Sequence, residues 1–117
     1  MNYVDGFVIA VPTGKKDVYL QHATTAAEIF RELGALEIVE CWGDDVPDGK
    51  LTSFPMAVKR KEDETVVFSW IKWPSKAVRD DGMKKFMDDP RIKDMKEMPF
   101  DGQRMIFGGF EAILEKT

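Results

Sequence analysis

The spacing of apolar residues changes along the chain between the short period of a strand and the longer period of a helix. Residues 3–11, YVDGFVIAV, are rich in β-branched and aromatic side chains and stop at Pro12, which predicts a first strand. From Lys16 the apolar residues recur every three or four positions as far as Leu33, and Gly34 follows at the position of a helix C-cap glycine. This pattern predicts an amphipathic helix of about five turns.

Four further strand segments are indicated by apolar runs between turn residues. Residues 35–42 return to strand character after the first helix, and residues 105–114 predict the last strand. Residues 54–60 and 65–73 flank the polar sequence KEDE, a connection of hairpin length, so these two segments are expected to pair. Residues 54–60 would then form an additional strand or part of a long bent one.

Two helices are predicted between residue 73 and the last strand. Ser75 offers a helix start, and an apolar stripe at helical spacing runs through residues 78–87 and ends before Pro90. A shorter helix is expected within residues 89–98, with Asp89 as N-cap and Pro90 at the first helical position.

This order of elements matches an α+β domain of the ferredoxin-like class, βαββαβ. In that class the sheet is antiparallel with strand order 4-1-3-2, and both helices lie on one face. The sequence contains no repeat, low-complexity tract or linker, so residues 1–117 are expected to form a single domain.

The predicted strands are apolar on both faces of the sheet. The first strand places Phe7 and Ile9 on one side, and Val4 and Val8 on the other. Four strands of about six residues form a face of roughly 400 Å², which is large enough to signal an interaction when it is apolar. Two such faces would bury roughly 800 Å², worth on the order of 20 kcal/mol against an association cost of about 4–15 kcal/mol. A homodimer through the helix-free faces is therefore expected.

Two long motifs, CWGDDVPDGKLTSF at residues 41–54 and MPFDGQRMIFGGFE at residues 98–111, resemble the signature of the YbaA-like family. The members of this family are small bacterial proteins of unknown function, and the resemblance spans nearly the whole chain. It implies a ferredoxin-like fold and the two-sheet dimer of the dimeric α+β barrel superfamily. That superfamily includes cofactor-free monooxygenases, isomerases, haem-degrading proteins and ligand binders. The resemblance implies no particular reaction and no catalytic residues.

The composition limits the possible partners. Lys and Arg total 17 against 21 Asp and Glu, a net charge of −4 spread without blocks, which opposes attraction to nucleic-acid phosphates. No apolar run approaches the roughly 18 residues that a membrane helix needs. The N-terminus lacks the pattern of an export signal, and Cys41 is the single cysteine, so a cytoplasmic protein without disulfides is expected.

The candidate site is built from tryptophans and from the loop that follows the second strand. Trp42 at a strand end, followed by Asp44 and Asp45, suits the rim of a pocket. Trp42, Trp70 and Trp73 lie at or near strand ends and could wall the cavity of an aromatic ligand. The alternatives are that the loop is a structural turn set by its PDG sequence, and that the tryptophans are core and dimer-interface residues.

The sequence argues against a metal site and supplies no cofactor motif. The loop partly resembles a calcium loop, but Val46 and Pro55 occupy positions that need oxygen ligands. One histidine and one cysteine cannot form a tetrahedral zinc site without carboxylates. His22 lies on the apolar stripe of the first helix and Cys41 within a strand, so both are expected to pack rather than to catalyse. Neither a metal nor a cofactor is expected.

Two carboxylates, Asp5 and Glu111, interrupt otherwise apolar strands. Each is expected either in a barrel interior or at an exposed edge of the sheet. A buried carboxylate with a raised pKa could act as a base.

These observations support two main hypotheses for the function. The first is a dimer that binds a small molecule in a pocket of the barrel. The alternative is an enzyme that resembles the cofactor-free monooxygenases or isomerases. Association with RNA is a second alternative, against which the negative net charge counts.

Overall fold

The structure is a computed structural model that describes residues 1–95 and 98–117. Its strands are β1 Tyr3–Pro12, β2 Glu37–Trp42, β3 Glu64–Trp73 and β4 Ile106–Glu111, and its helices are α1 Lys16–Glu32, α2 Phe54–Ala57, α3 Lys76–Asp88 and α4 Pro90–Lys93. Short 3-10 turns occupy Thr13–Lys15 and Gly102–Arg104. Residues 96 and 97, near the end of the predicted short helix, lie outside the described residues.

The four strands form one antiparallel sheet in the order β2-β3-β1-β4. The whole of β1 pairs with β3, from Tyr3 opposite Trp73 to Pro12 opposite Glu64. On its other side β1 pairs with β4, from Tyr3 opposite Glu111 to Val8 opposite Ile106. The predicted α+β class with an antiparallel sheet is confirmed.

The two long helices cover the face of the sheet that carries the odd-numbered residues of β1 and β3. Phe30 of α1 stacks on Phe86 of α3 with ring centroids 4.1 Å apart, and it meets the edge of Trp73 at 6.0 Å. Further along α1, Tyr19 and Ala23 pack on buried residues of β1 and β3. The main core therefore lies between the helices and this face.

The sequence signals for helix ends are confirmed. The Oγ of Ser75 accepts from the Val78 amide at 3.2 Å, and Asp89 caps α4 by accepting from the Arg91 amide at 2.8 Å. Gly34 follows α1 with φ of 109°, a left-handed conformation that glycine adopts without steric cost.

The prediction of a strand at residues 54–60, paired with residues 65–73, is wrong. Phe54–Ala57 is a short helix, and the Oγ of Ser53 caps it by accepting from the Met56 amide at 3.1 Å. Both edges of β3 are already occupied by β1 and β2, so a further strand cannot pair with it. The apolar side chain of Val58 is nevertheless fully buried, because the segment packs on the helix-free face of the sheet.

Asp5 lies neither in a barrel interior nor at a sheet edge. It is 3% exposed beneath α3, where it accepts from Trp73 Nε1 at 3.0 Å and from Arg79 Nη2 at 2.8 Å. An apolar strand tolerates this carboxylate because the contact supplies both an opposite charge and hydrogen bonds. Glu111, by contrast, is exposed on the edge strand β4.

Substituting Gly82 with alanine is expected to destabilise the protein although glycine is a poor helix former. A Cβ at Gly82, within α3, would lie 2.7 Å from ring atoms of Trp73, which is fully buried. The resulting overpacking should lower the free energy of unfolding by about 1–3 kcal/mol. Urea denaturation measures the effect, with Gly102→Ala as control because nothing lies within 4 Å of a Cβ there. A Gly82→Ala variant as stable as the original protein would contradict the packing described.

Candidate functional site

An open groove of about 680 Å³ runs across the helix-free face of the sheet. Side chains alternate along a strand, so the even-numbered residues of β1, β3 and β4 point to this face. The apolar lining includes Val4, Val8, Phe68, Trp70, Ile106 and Phe110. The groove is therefore an apolar surface on the side opposite the main core.

Two glycines line the centre of the groove. Gly6 of β1 and Gly108 of β4 are cross-strand partners, and neither has a side chain that could fill the space above the sheet. The ring of Phe110 leans over both, 3.7 Å from the position of a Cβ on Gly6 and 3.4 Å from one on Gly108. Trp70 lies opposite Gly6 on the other side, so an aromatic ring borders each flank of the glycine pair.

The segment that contains α2 closes one end of the groove. Val58 packs there with Val8, Ala10 and Val66. The ring of Phe54 meets Phe68 edge to face, with centroids 5.8 Å apart. At this end the groove is consequently apolar both on the sheet and on the α2 segment that packs over it.

A buried ion pair holds this covering segment in place. Arg104 Nη2 donates to Glu64 Oε2 at 2.6 Å, and Arg104 Nη1 donates to Glu64 Oε1 at 2.8 Å and to the Lys59 carbonyl at 2.9 Å. The Glu64 carboxylate also accepts from the Lys61 amide at 2.8 Å. The Arg104 guanidinium lowers the pKa of Glu64 to about 2. The pair therefore links the segment both to β3 and to the turn before β4.

The opposite end of the groove is polar. Lys72 Nζ lies 3.0 Å from Glu115 Oε2, and both residues line the groove. Beside them Trp70 Nε1 donates to Glu37 Oε1 at 2.9 Å. The contact with Glu115 raises the pKa of Lys72, so its ammonium group stays charged.

The structure does not bring the three tryptophans together. Trp70 lines the groove, whereas Trp73 is fully buried under the helices and donates to Asp5. Trp42 is half-buried against the helix side of the sheet, with Lys16 Nζ 5.3 Å from its ring centroid. Trp70 and Trp73 are three residues apart in one strand, and an odd separation sends them to opposite faces. Trp73 is therefore a core residue, as the second of the two interpretations of the tryptophans expected.

The two loop carboxylates also lie away from the groove. Asp44 lines a separate polar depression of about 200 Å³, together with Asp48, Arg60 and Glu64. Asp45 is exposed to solvent. The loop begins by extending the sheet, because the Gly43 amide donates to the Val66 carbonyl at 2.8 Å.

The remaining candidates of the sequence lie in packing positions. His22 is half-buried with its ring edge to face with Phe100 at 6.4 Å, and burial lowers its pKa. Cys41 is half-buried on β2 opposite Phe68. In the part of the chain that the structure describes, no three His, Cys, Asp or Glu side chains cluster closely enough to hold a metal ion.

Sequence reasoning did not single out Phe68, Lys72 and Glu115 as site residues. The alternation of β1 assigned Val4 and Val8 to a second apolar face, and the register of β3 extends that face to Phe68 and Lys72. Glu115 joins them through the path of the chain after β4, for which the sequence offers no local signal.

The fold and the groove define a small α+β protein with an open apolar surface on a helix-free sheet face. The chain belongs to the family described as Protein of unknown function (DUF1428), which matches residues 2–102. Proteins called Uncharacterized protein YbaA from Escherichia coli strain K12, Escherichia coli O157:H7 and Shigella flexneri are each 62% identical over 117 residues, which cover 99% of this chain and 100% of theirs. The membership of the YbaA-like family indicated by the two motifs is confirmed.

A solved structure called De novo designed protein Foldit4 aligns with 96% of this chain and 99% of its own, with a TM-score of 0.49 and 8% identity. Among the described residues, no helix is long and apolar enough to cross a membrane.

Replacing Arg104 with methionine is expected to lower the free energy of unfolding by about 3 kcal/mol at neutral pH, because Glu64 would remain buried without its partner. The folded pKa of Glu64 is about 2 and its ordinary value is 4.5, so the stabilisation is complete above about pH 4.5 and is lost as the pH falls towards 2. Urea denaturation at pH 7 and pH 3 should therefore show a smaller difference between variant and original at pH 3.

The matched control for this prediction is Arg91→Met. Arg91 also contacts two carboxylates, Glu32 at 2.8 Å and Asp89 at 2.9 Å, but it is 44% exposed. An exposed pair of this kind contributes less than about 1 kcal/mol. Equal losses of stability in the two arginine variants would show that Arg104 does not hold the segment.

Proposed function

We propose that this protein is a homodimer that binds a small apolar or aromatic molecule in the groove on its helix-free sheet face. The observation that carries the proposal is the groove itself, in which three large side chains are left exposed on a folded sheet. Phe68 is 42% exposed, Ile106 is 44% exposed and Phe110 is 61% exposed. Exposed apolar patches of this extent mark interaction or ligand sites.

The fold supports a single ferredoxin-like domain spanning residues 1–117. The antiparallel order β2-β3-β1-β4, with α1 between β1 and β2 and α3 between β3 and β4, is the arrangement of that class. A dimeric α+β barrel results when two such sheets meet through their helix-free faces.

The apolar area supports the pairing of two copies. Two faces that bury roughly 800 Å² in total would gain on the order of 20 kcal/mol, which exceeds an association cost of about 4–15 kcal/mol. Beyond β4 the exposed side chain of Leu114 also lines the groove and extends its apolar surface. The groove of each copy would then be enclosed between two sheets, and its glycine-lined centre would leave room for a ligand.

Binding is favoured over catalysis by the character of the groove lining. Its charged lining residues, within the described part of the chain, are Lys72 and Glu115. These two residues form an ion pair with each other, so neither side chain is free to act as a general acid or a general base. We therefore place ligand binding ahead of an oxygenase or isomerase reaction.

The dimer predicts a specific effect of a charge on the helix-free face. The original protein should sediment at twice 13.4 kDa at micromolar concentration, and Phe110→Glu should sediment as a single chain because its carboxylate would be buried against an apolar partner. Leu20→Glu on α1 is the control, since Leu20 is 57% exposed on the other side of the molecule. Circular dichroism verifies that both variants are folded. An original protein that sediments as one chain at this concentration would refute the dimer.

The ligand site predicts binding of a neutral apolar dye. N-phenylnaphthylamine should bind saturably with a rise in fluorescence, and Gly6→Leu should weaken binding about tenfold by filling the centre of the groove. Gly102→Leu is the control, because a side chain there meets open space. Melting temperatures and sedimentation of both variants separate loss of binding from loss of structure. Equal affinity of the original and Gly6→Leu for the dye would remove the groove as the site.

A further inference from the structure

The groove has an apolar end and a charged end. In the sheet register Val8 lies opposite Phe68 at the end that Phe54 covers, whereas Val4 lies opposite Lys72 at the other. Four residues of strand separate these pairs, a distance of about 13 Å. A ligand that lies along the groove would therefore meet aromatic rings with its body and a charge with one end.

Lys72 supplies the positive charge at this end. Its side chain is 24% exposed, and its Nζ lies 3.0 Å from Glu115 Oε2. Glu37 is the cross-strand neighbour of Lys72, but a Glu37 oxygen accepts from Trp70 Nε1 at 2.9 Å. The Lys72 ammonium group is thus ion-paired with Glu115, a carboxylate carried by the C-terminal segment.

That carboxylate is attached to a weakly held part of the chain. Strand β4 ends at Glu111, and the Ala112 amide donates to the Asn2 carbonyl at 3.0 Å. Ile113 and Leu114 follow with 87% and 84% of their surfaces exposed. A partly exposed ion pair contributes at most about 1 kcal/mol, so separating Glu115 from Lys72 costs little.

We propose that the ligand of the groove is an amphipathic organic anion, whose acidic group binds Lys72 in place of Glu115 while its apolar body lies against the rings of Trp70 and Phe110. In this arrangement the Glu115 carboxylate marks the anion position in the unliganded protein. This inference rests on the proposed ligand-binding function and adds the class of ligand to it.

The test compares two dyes that share the same rings, neutral N-phenylnaphthylamine and anionic anilinonaphthalene sulfonate. The original protein should bind the sulfonate more tightly. Lys72→Met should weaken sulfonate binding about tenfold and should change binding of the neutral dye much less, because one charge-assisted hydrogen bond is removed from the sulfonate alone. Glu115→Gln should strengthen sulfonate binding alone. Lys76→Met is the matched control, since Lys76 has the same 3.0 Å contact with a carboxylate, Asp80, outside the groove.

Each outcome separates the ligand class from the proposed function. If both dyes bind but Lys72→Met changes neither affinity, the anion position is refuted and the groove remains a site for neutral ligands. If neither dye binds the original protein, the proposed function and the ligand class both fail. If Lys76→Met weakens sulfonate binding as much as Lys72→Met does, the sulfonate reports surface charge and the inference is overturned.

Discussion

The hydrogen bonding of β1 on both of its edges is the constraint on which the rest of the structure depends. β1 lies between β3 and β4, so its register decides for three strands which side chains face the helices and which face the groove. A shift of one residue would exchange the two sets, because side chains alternate along a strand. The observed register buries the Asp5 carboxylate where Trp73 and Arg79 donate to it, and a shift of one residue would turn this carboxylate towards the groove. This buried polar contact therefore favours the register in which the groove face is apolar.

The helix-free face is neither fully covered nor fully open. The segment around α2 covers the end near Val8 with Val58, and Arg104 joins this segment to Glu64. At the centre Gly6 and Gly108 lie opposite each other, and the ring of Phe110, which is 61% exposed, lies against both. A continuous layer of side chains would have produced a closed small core on this face, whereas this face carries an open groove of about 680 Å³.

The same surface would serve both parts of the proposed function. Apolar side chains that favour contact with a second sheet also favour an aromatic ligand, so dimerisation and ligand binding would draw on one set of residues. The charged end differs from the rest of the groove. Lys72 and Glu115 offer interactions that depend on charge and geometry, whereas the apolar contacts elsewhere have no preferred direction. If the groove binds a ligand as proposed, its specificity would depend on this end, because apolar contacts discriminate poorly between ligands of similar size.

Much of the architecture followed from local sequence patterns. The periodicity from Lys16 to Leu33 and the caps at Ser75 and Asp89 predicted the helices, because capping groups and apolar stripes act over one or two turns. The alternation in β1 predicted a sheet that is apolar on both faces, which is also a local property. The motifs at residues 41–54 and 98–111 were sufficient to indicate the family.

What only the tertiary structure decided involves residues that are distant in the sequence. Residues 54–60 were compatible with a strand until both edges of β3 proved to be occupied. The place of Asp5 depends on Arg79, which is 74 residues away, and the charged end of the groove joins residues that are 43 apart. Trp70 and Trp73 could be assigned to faces only once the limits and register of β3 were known. The sequence by itself therefore determined the two long helices, the four strands of the sheet and the family, whereas the short helix at Phe54–Ala57 and the groove arise from pairings across the chain that no local pattern encodes.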